Sequence, residues 1–144
     1  MGVDEFEQAV RDVDAASPNA ARYGDVDAAH MAASWRAFAG SGVGTTIGAY
    51  VGEECVGFVF GLCSHDPLTG EKTGTAYLWA VKPEHRKGCT AYELLTLFEQ
   101  WVKEQGGTSV VIGVQESPIA DKLVRAHRCK GYHQASRSLR KKLT

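Results

Sequence analysis

Apolar positions recur every three or four residues over two segments near the start of the chain, then at every second residue, then at helical spacing again. Residues 4–16 carry Phe6, Val10 and Val13 on one helical face, and residues 25–39 carry Val26, Ala29, Ala33 and Phe38. Ser17-Pro18-Asn19 breaks the first helix and Gly40-Ser41-Gly42 ends the second. The period then shortens. Residues 45–51 and 56–63 read as strands joined by a hairpin turn at Gly52-Glu53-Glu54, and a polar loop, 65–72, leads to a third strand at 75–81. Three antiparallel neighbours are expected. Ala91, Leu94, Leu95, Phe98, Trp101 and Val102 then mark one face of a long helix stopped by Gly106-Gly107. The continuous apolar run 109–114 predicts a buried strand. Ser117-Pro118 opens a last helix to about Arg128, with Ile119, Leu123 and Ala126 inward, before Gly131. A final strand passes through Tyr132, Ala135 and Leu139. The sum is an α/β (α+β) chain with a mixed, mostly antiparallel sheet flanked by helices.

A length of 144 residues suits one domain, 1–144, and no second one is required. No stretch approaches the ~20 apolar residues of a membrane span and no signal-peptide pattern opens the chain, so a cytoplasmic protein without a membrane partner is expected. Cys55, Cys63, Cys89 and Cys129 are scattered without metal-ligand spacing, so no metal is expected. Charge changes the picture more than composition does. The net charge is −1, yet the first 31 residues are acidic and the tail from Lys122 to Lys142 is basic, which suits a polyanionic ligand at one end and a cationic one at the other, or simply a solvated basic tail. Nucleic acid is a weak reading of that tail, which lacks basic and aromatic interleaving.

The segment between the third strand and the long helix carries the strongest chemical signal. Pro83 cannot continue a central ladder, so the strand stops at about Val81. His85, Arg86, Lys87 and Gly88 then place cations and unblocked main chain at a helix N-terminus, which makes either an anion site, with phosphate the usual anion, or a solvated basic turn. Cys89, beside Lys87 and Arg86, is expected to be an unusually reactive thiol or a space-filling one.

The stretch Val81-Lys82-Pro83-Glu84-His85-Arg86-Lys87-Gly88-Cys89-Thr90-Ala91 resembles motif A of the GNAT acetyltransferase family, in which such a turn cradles the pyrophosphate of acetyl-CoA. His85 stands where the family usually has Arg or Gln, and Thr90 where it has Gly or Ala; Gly88 is kept. The resemblance covers roughly residues 45–135 and implies splayed central strands, with the thioester arm in the opening. It implies that main-chain groups of Ala80 and Val81 hold the acetyl carbonyl and pantetheine, and that His85, Arg86, Lys87, Gly88, Cys89, Thr90 and Ala91, with Ser117, bind the cofactor. Ser117 stands where the family often has Asn.

The same resemblance bears on catalysis. The third strand lacks the Glu that many members place there, and Tyr77 and Trp79 instead pack or shape the acceptor pocket. Glu116 is the preferred base, with Glu84, His65 or a water chain as alternatives. In Ala126-His127-Arg128-Cys129-Lys130-Gly131-Tyr132 the family's tyrosine position holds His127, a group able to protonate the leaving thiolate. The implied activity is transfer of acetyl from acetyl-CoA to a primary amine of a small molecule or protein; the rival is a non-catalytic acyl-CoA-binding module. Trp35, Arg36, Tyr50, Asp66 and the loop 65–72 are the candidate acceptor surface, in a monomer or homodimer.

Overall fold

The computed structural model describes residues 2–16, 27–85, 88–113, 120–136, 139, 141 and 143. Along the chain run α1 (Val3–Ala16), α2 (Ala28–Gly40), β1 (Gly44–Val51), β2 (Glu54–His65), β3 (Lys72–Val81), a 3-10 turn (Pro83–His85), α3 (Thr90–Glu104), β4 (Ser109–Ile112) and α4 (Ala120–Arg128). The chain divides into two compact units, Met1–Gly113 and Val114–Thr144.

In the first unit the sheet order is β1-β2-β3-β4, antiparallel except for the parallel β3–β4 pair. β2 is buried on both faces, and alternation sends its side chains into two separate cores. On one face Phe58 and Phe60 meet Phe6, Ala9 and Val10 of α1 and Ala28, Ala32 and Trp35 of α2. Phe6 sits edge-on to Phe58 at 5.6 Å and to Trp35 at 5.5 Å, the arrangement that ring quadrupoles favour. On the other face Val59 and Cys63 meet Leu94, Phe98 and Val102 of α3. The long helix therefore buries the face read from its spacing.

α3 lies unusually close to the sheet because glycines pave its bed. A Cβ at Gly61 would stand 2.5 Å from two Phe98 ring carbons, and one at Gly74 would stand 2.2 Å from a Val102 methyl. The helix ends in a Schellman motif: Gly106 takes φ +83°, its amide donates to the Lys103 carbonyl at 2.9 Å, and the Gly107 amide donates to the Val102 carbonyl at 2.8 Å.

Four expectations change. α2 buries Ala28, Ala32 and Trp35 and leaves Ala29 and Ala33 exposed, one residue out of the phase read from sequence. The β2–β3 hairpin extends to His65 and Lys72, because Asp66 closes a tight turn: its Oδ1 accepts from the amides of Leu68 and Thr69 at 2.7 and 3.1 Å. The run read as a buried strand is an edge in the described sheet, with Val111 exposed. In the second unit Tyr132, Ala135 and Leu139 are not in a strand among the described residues. There α4 ends at a turn with Gly131 at φ +90°, and the Tyr132 amide donates to the His127 carbonyl at 3.1 Å. No described helix is long and apolar enough to cross a membrane.

Gly61→Ala should lower stability by about 1–3 kcal/mol, because the added methyl meets both the Phe98 ring and, at 2.6 Å, the Thr75 carbonyl. A thermal melt checks this, and an unchanged Tm would mean that α3 does not rest on that glycine.

Candidate functional site

β3 is the strand on which the site is built. Among the described residues its pairing to β4 ends at Ala76 and Ile112, whereas its pairing to β2 continues to Val81. At the same place the β2–β3 register shifts: Gly61 pairs with Ala76 and Phe60 with Leu78, so Tyr77 is the extra residue of a β-bulge. A bulge exchanges the faces of the residues beyond it. Gly74 and Ala76 face α3, yet beyond Tyr77 it is Trp79 and Val81 that do so, while Leu78 and Ala80 pack on the α1–α2 core. Tyr77 itself is 64% exposed, with its ring 6.4 Å from that of Phe60.

β3 then feeds into the turn and α3. The Lys82 amide donates to the Val56 carbonyl at 2.8 Å and the His85 amide to the Lys82 carbonyl at 2.9 Å, which bends the chain through the 3-10 turn. Cys89 is the N-cap of α3 and makes no side-chain capping bond; Gly88 and Cys89 are exposed. A Cβ at Gly88 would meet nothing within 4 Å, so the space over this turn is open to a ligand. Helix-terminal amides without a capping side chain, bearing the positive end of the helix dipole, can take an anion here. One side chain ties strand and helix together: the Trp79 indole N–H donates to the Ala91 carbonyl at 2.9 Å.

The strand end also holds a buried cation. Lys82 is 9% exposed, and its Nζ donates to Glu54 Oε1 of β2 at 2.9 Å. That bond chiefly raises the Lys82 ammonium above its ordinary value and lowers the Glu54 carboxyl below its own. Lys82 is thus spent on Glu54 rather than offered to a ligand.

The acetyltransferase (GNAT) family model matches residues 9–132. The chain belongs to that family. As a member it is an acetyl-CoA-dependent acyltransferase. No curated protein matches it. Solved structures share its fold. A ribosomal-protein-alanine N-acetyltransferase from Brucella melitensis biovar Abortus 2308 is 18% identical with a TM-score of 0.68, over 98% of this chain and 93% of that one. A putative acetyl transferase from Pyrococcus furiosus is 18% identical with a TM-score of 0.71, over 98% and 93%. AAC(6')-Iy, in complex with the bisubstrate analogue CoA-S-monomethyl-acetylneamine, is 16% identical with a TM-score of 0.72, over 99% and 91%.

Of the residues that the sequence assigns to this acetyltransferase's site, Ala80, Val81, His85, Gly88, Cys89, Thr90 and Ala91 lie together on the strand end and the helix start. Arg86, Lys87, Glu116 and Ser117 lie outside the described residues. His127 is buried in the second unit, its ring edge-on to Tyr132 at 6.0 Å. The antiparallel register removes His65 from consideration as a base. His65 pairs with Lys72 and Gly57 with Val81, so His65 and the loop after it lie at the other end of the hairpin, about 30 Å from the turn. Asp66 is used in its own turn, and Trp35 is core. The Tyr50 hydroxyl donates to the Glu5 carboxylate; burial first, then that bond, raises the phenol, and the same bond lowers Glu5. Sequence reading missed the Tyr77 bulge and the Lys82–Glu54 pair, which join residues by register rather than by local pattern.

Glu54→Gln should lower the Tm at neutral pH. The depressed carboxyl stabilises the fold above its ordinary value of 4.5 and loses that effect as pH falls through the lower folded value; the raised ammonium stabilises below its ordinary 10.5 and loses it at higher pH. Melts across pH should therefore show a deficit between those limits that closes in acid. A deficit independent of pH would rule the ion pair out as its source.

Proposed function

We propose that this chain, acting as one domain, moves acetyl from acetyl-CoA to a primary amine by direct attack. The observation that carries the reading is that β3 runs on past its last described pair with β4 and is followed, after the 3-10 turn, by an α3 N-terminus without a capping side chain. The amine nitrogen bonds to the acetyl carbon, the carbon–sulfur bond breaks, the amine loses a proton and the thiolate gains one. Main-chain groups of Ala80 and Val81 hold the carbonyl and the pantetheine, and a donor aimed at the carbonyl oxygen steadies its developing charge. His85, Arg86, Lys87, Gly88, Cys89, Thr90 and Ala91 hold the diphosphate, and Ser117 completes the cofactor site. Glu116 takes the amine's proton, and His127 supplies one to sulfur. The last assignment rests on an imidazole, a group able to donate a proton, at the family's tyrosine position.

Calorimetry at low salt should detect binding of CoA and acetyl-CoA, and thiol release should follow with at least one member of a panel spanning aminoglycosides and peptides with N-terminal alanine. No heat with either thioester or thiol would end the reading. Binding without turnover on any amine would instead mark an acyl-CoA-binding module, a role consistent with the absence of a carboxylate from residues 75–81.

His127→Gln should slow the single-turnover acetyl transfer about 100-fold or more while acetyl-CoA still binds. An unchanged chemical step would remove His127 from the role of acid.

A further inference from the structure

We infer that Trp79 is a positioning residue that sets the spacing between the part of β3 holding the thioester and the turn of α3 holding the diphosphate. The inference rests on the function proposed above. Trp79 is the neighbour of Ala80 on β3, and its indole N–H reaches the Ala91 carbonyl, in the first turn of α3, at 2.9 Å. One side chain thus spans from the acetyl end of the site to its phosphate end. Among the described residues the intervening backbone provides a short 3-10 turn, and the N-cap provides no side-chain bond. The bulge at Tyr77 makes this geometry available, because regular alternation from Ala76 would have turned residue 79 to the α1–α2 face. An indole has one donor and no acceptor, so its ring and its N–H can be separated experimentally. Phenylalanine fills much of the same space against Ala91 and Val59 and lacks the donor.

A ligand that touches both ends feels an error in their spacing; a ligand that touches one end does not. Trp79→Phe should therefore weaken CoA binding about three- to tenfold, the effect of one hydrogen bond, and leave the affinities of pantetheine and of 3′-phospho-ADP unchanged. Calorimetry for CoA and NMR titration for the two fragments supply the comparison, with circular dichroism and a thermal melt to establish folding. Loss of affinity for a fragment equal to that for CoA, or no loss for CoA, overturns the inference. Should wild-type protein fail to bind CoA at all, the proposed function falls first, so the two failures are distinguishable. The wild type offers a second readout in case the variant does not fold: the Trp79 indole proton should be protected from solvent exchange, and CoA should slow it further while neither fragment does. Exchange at the rate of an exposed indole overturns the inference as well.

Discussion

The site depends on β3 being a full partner of β2 and, among the described residues, only half a partner of β4. A strand that loses a neighbour midway exposes its main chain, and such an edge survives only where the rest of the strand is firmly held. Here β2 holds it: β3 pairs with β2 to Val81, and the Lys82 amide adds one more bond to the Val56 carbonyl. Both cores rest on the same two strands, with Phe58 and Phe60 under α1 and α2, and Val59 and Val81 under α3. Moving the end of β3 would thus disturb two cores at once, which fixes the strand end as a support for α3.

α3 is fixed at three levels by three different devices. Its C-terminus is closed by the Schellman turn, whose Gly107 lies so near Val102 that a Cβ there would sit 2.4 Å from the valine methyl. Its middle rests on Gly61 and Gly74 through Phe98 and Val102. Its first turn is held by Trp79. What the packing leaves without a capping side chain is the amide end, where peptide dipoles sum to about half a positive charge. A helix braced along its body and open at its tip presents that charge in a constant place, which is the property an anion site requires.

Large side chains made some of this legible in sequence and small ones concealed the rest. Leu94, Leu95, Phe98 and Val102 mark the buried face of α3 unambiguously, and Gly106-Gly107 marks its end. In α2 alanines at 28, 29, 32, 33, 37 and 39 supply an apolar residue on nearly every face, so spacing alone cannot choose the phase; Trp35 does choose it, but a lone aromatic in sequence suits an acceptor site as well as a core. The turn motif was legible because its residues are contiguous. The Tyr77 bulge was not, because residues 75–81 are apolar or aromatic almost throughout and a face exchange leaves no trace in such a run. The hairpin reached His65 and Lys72 because a turn built on the Asp66 side chain lets polar residues pair, a case that hydrophobic patterning underestimates.

Register and electrostatics together narrow the choice of base. His65 lies a hairpin's length from the turn. Glu54 is at the right end of β2, but its bond to Lys82 holds its carboxyl below the ordinary value, and a carboxylate so stabilised accepts a proton less readily than a free one. Moving that proton would also strip a buried lysine of its counter-ion, a cost that falls on the strand end that the site needs fixed. Two of the carboxylate and imidazole groups on the sheet are thereby set aside on physical grounds, and β3 itself supplies none between residues 75 and 81. The base for the proposed reaction is then sought beyond the strands: in Glu116, which follows β4 in sequence, in the exposed Glu84 of the 3-10 turn, or in a water chain.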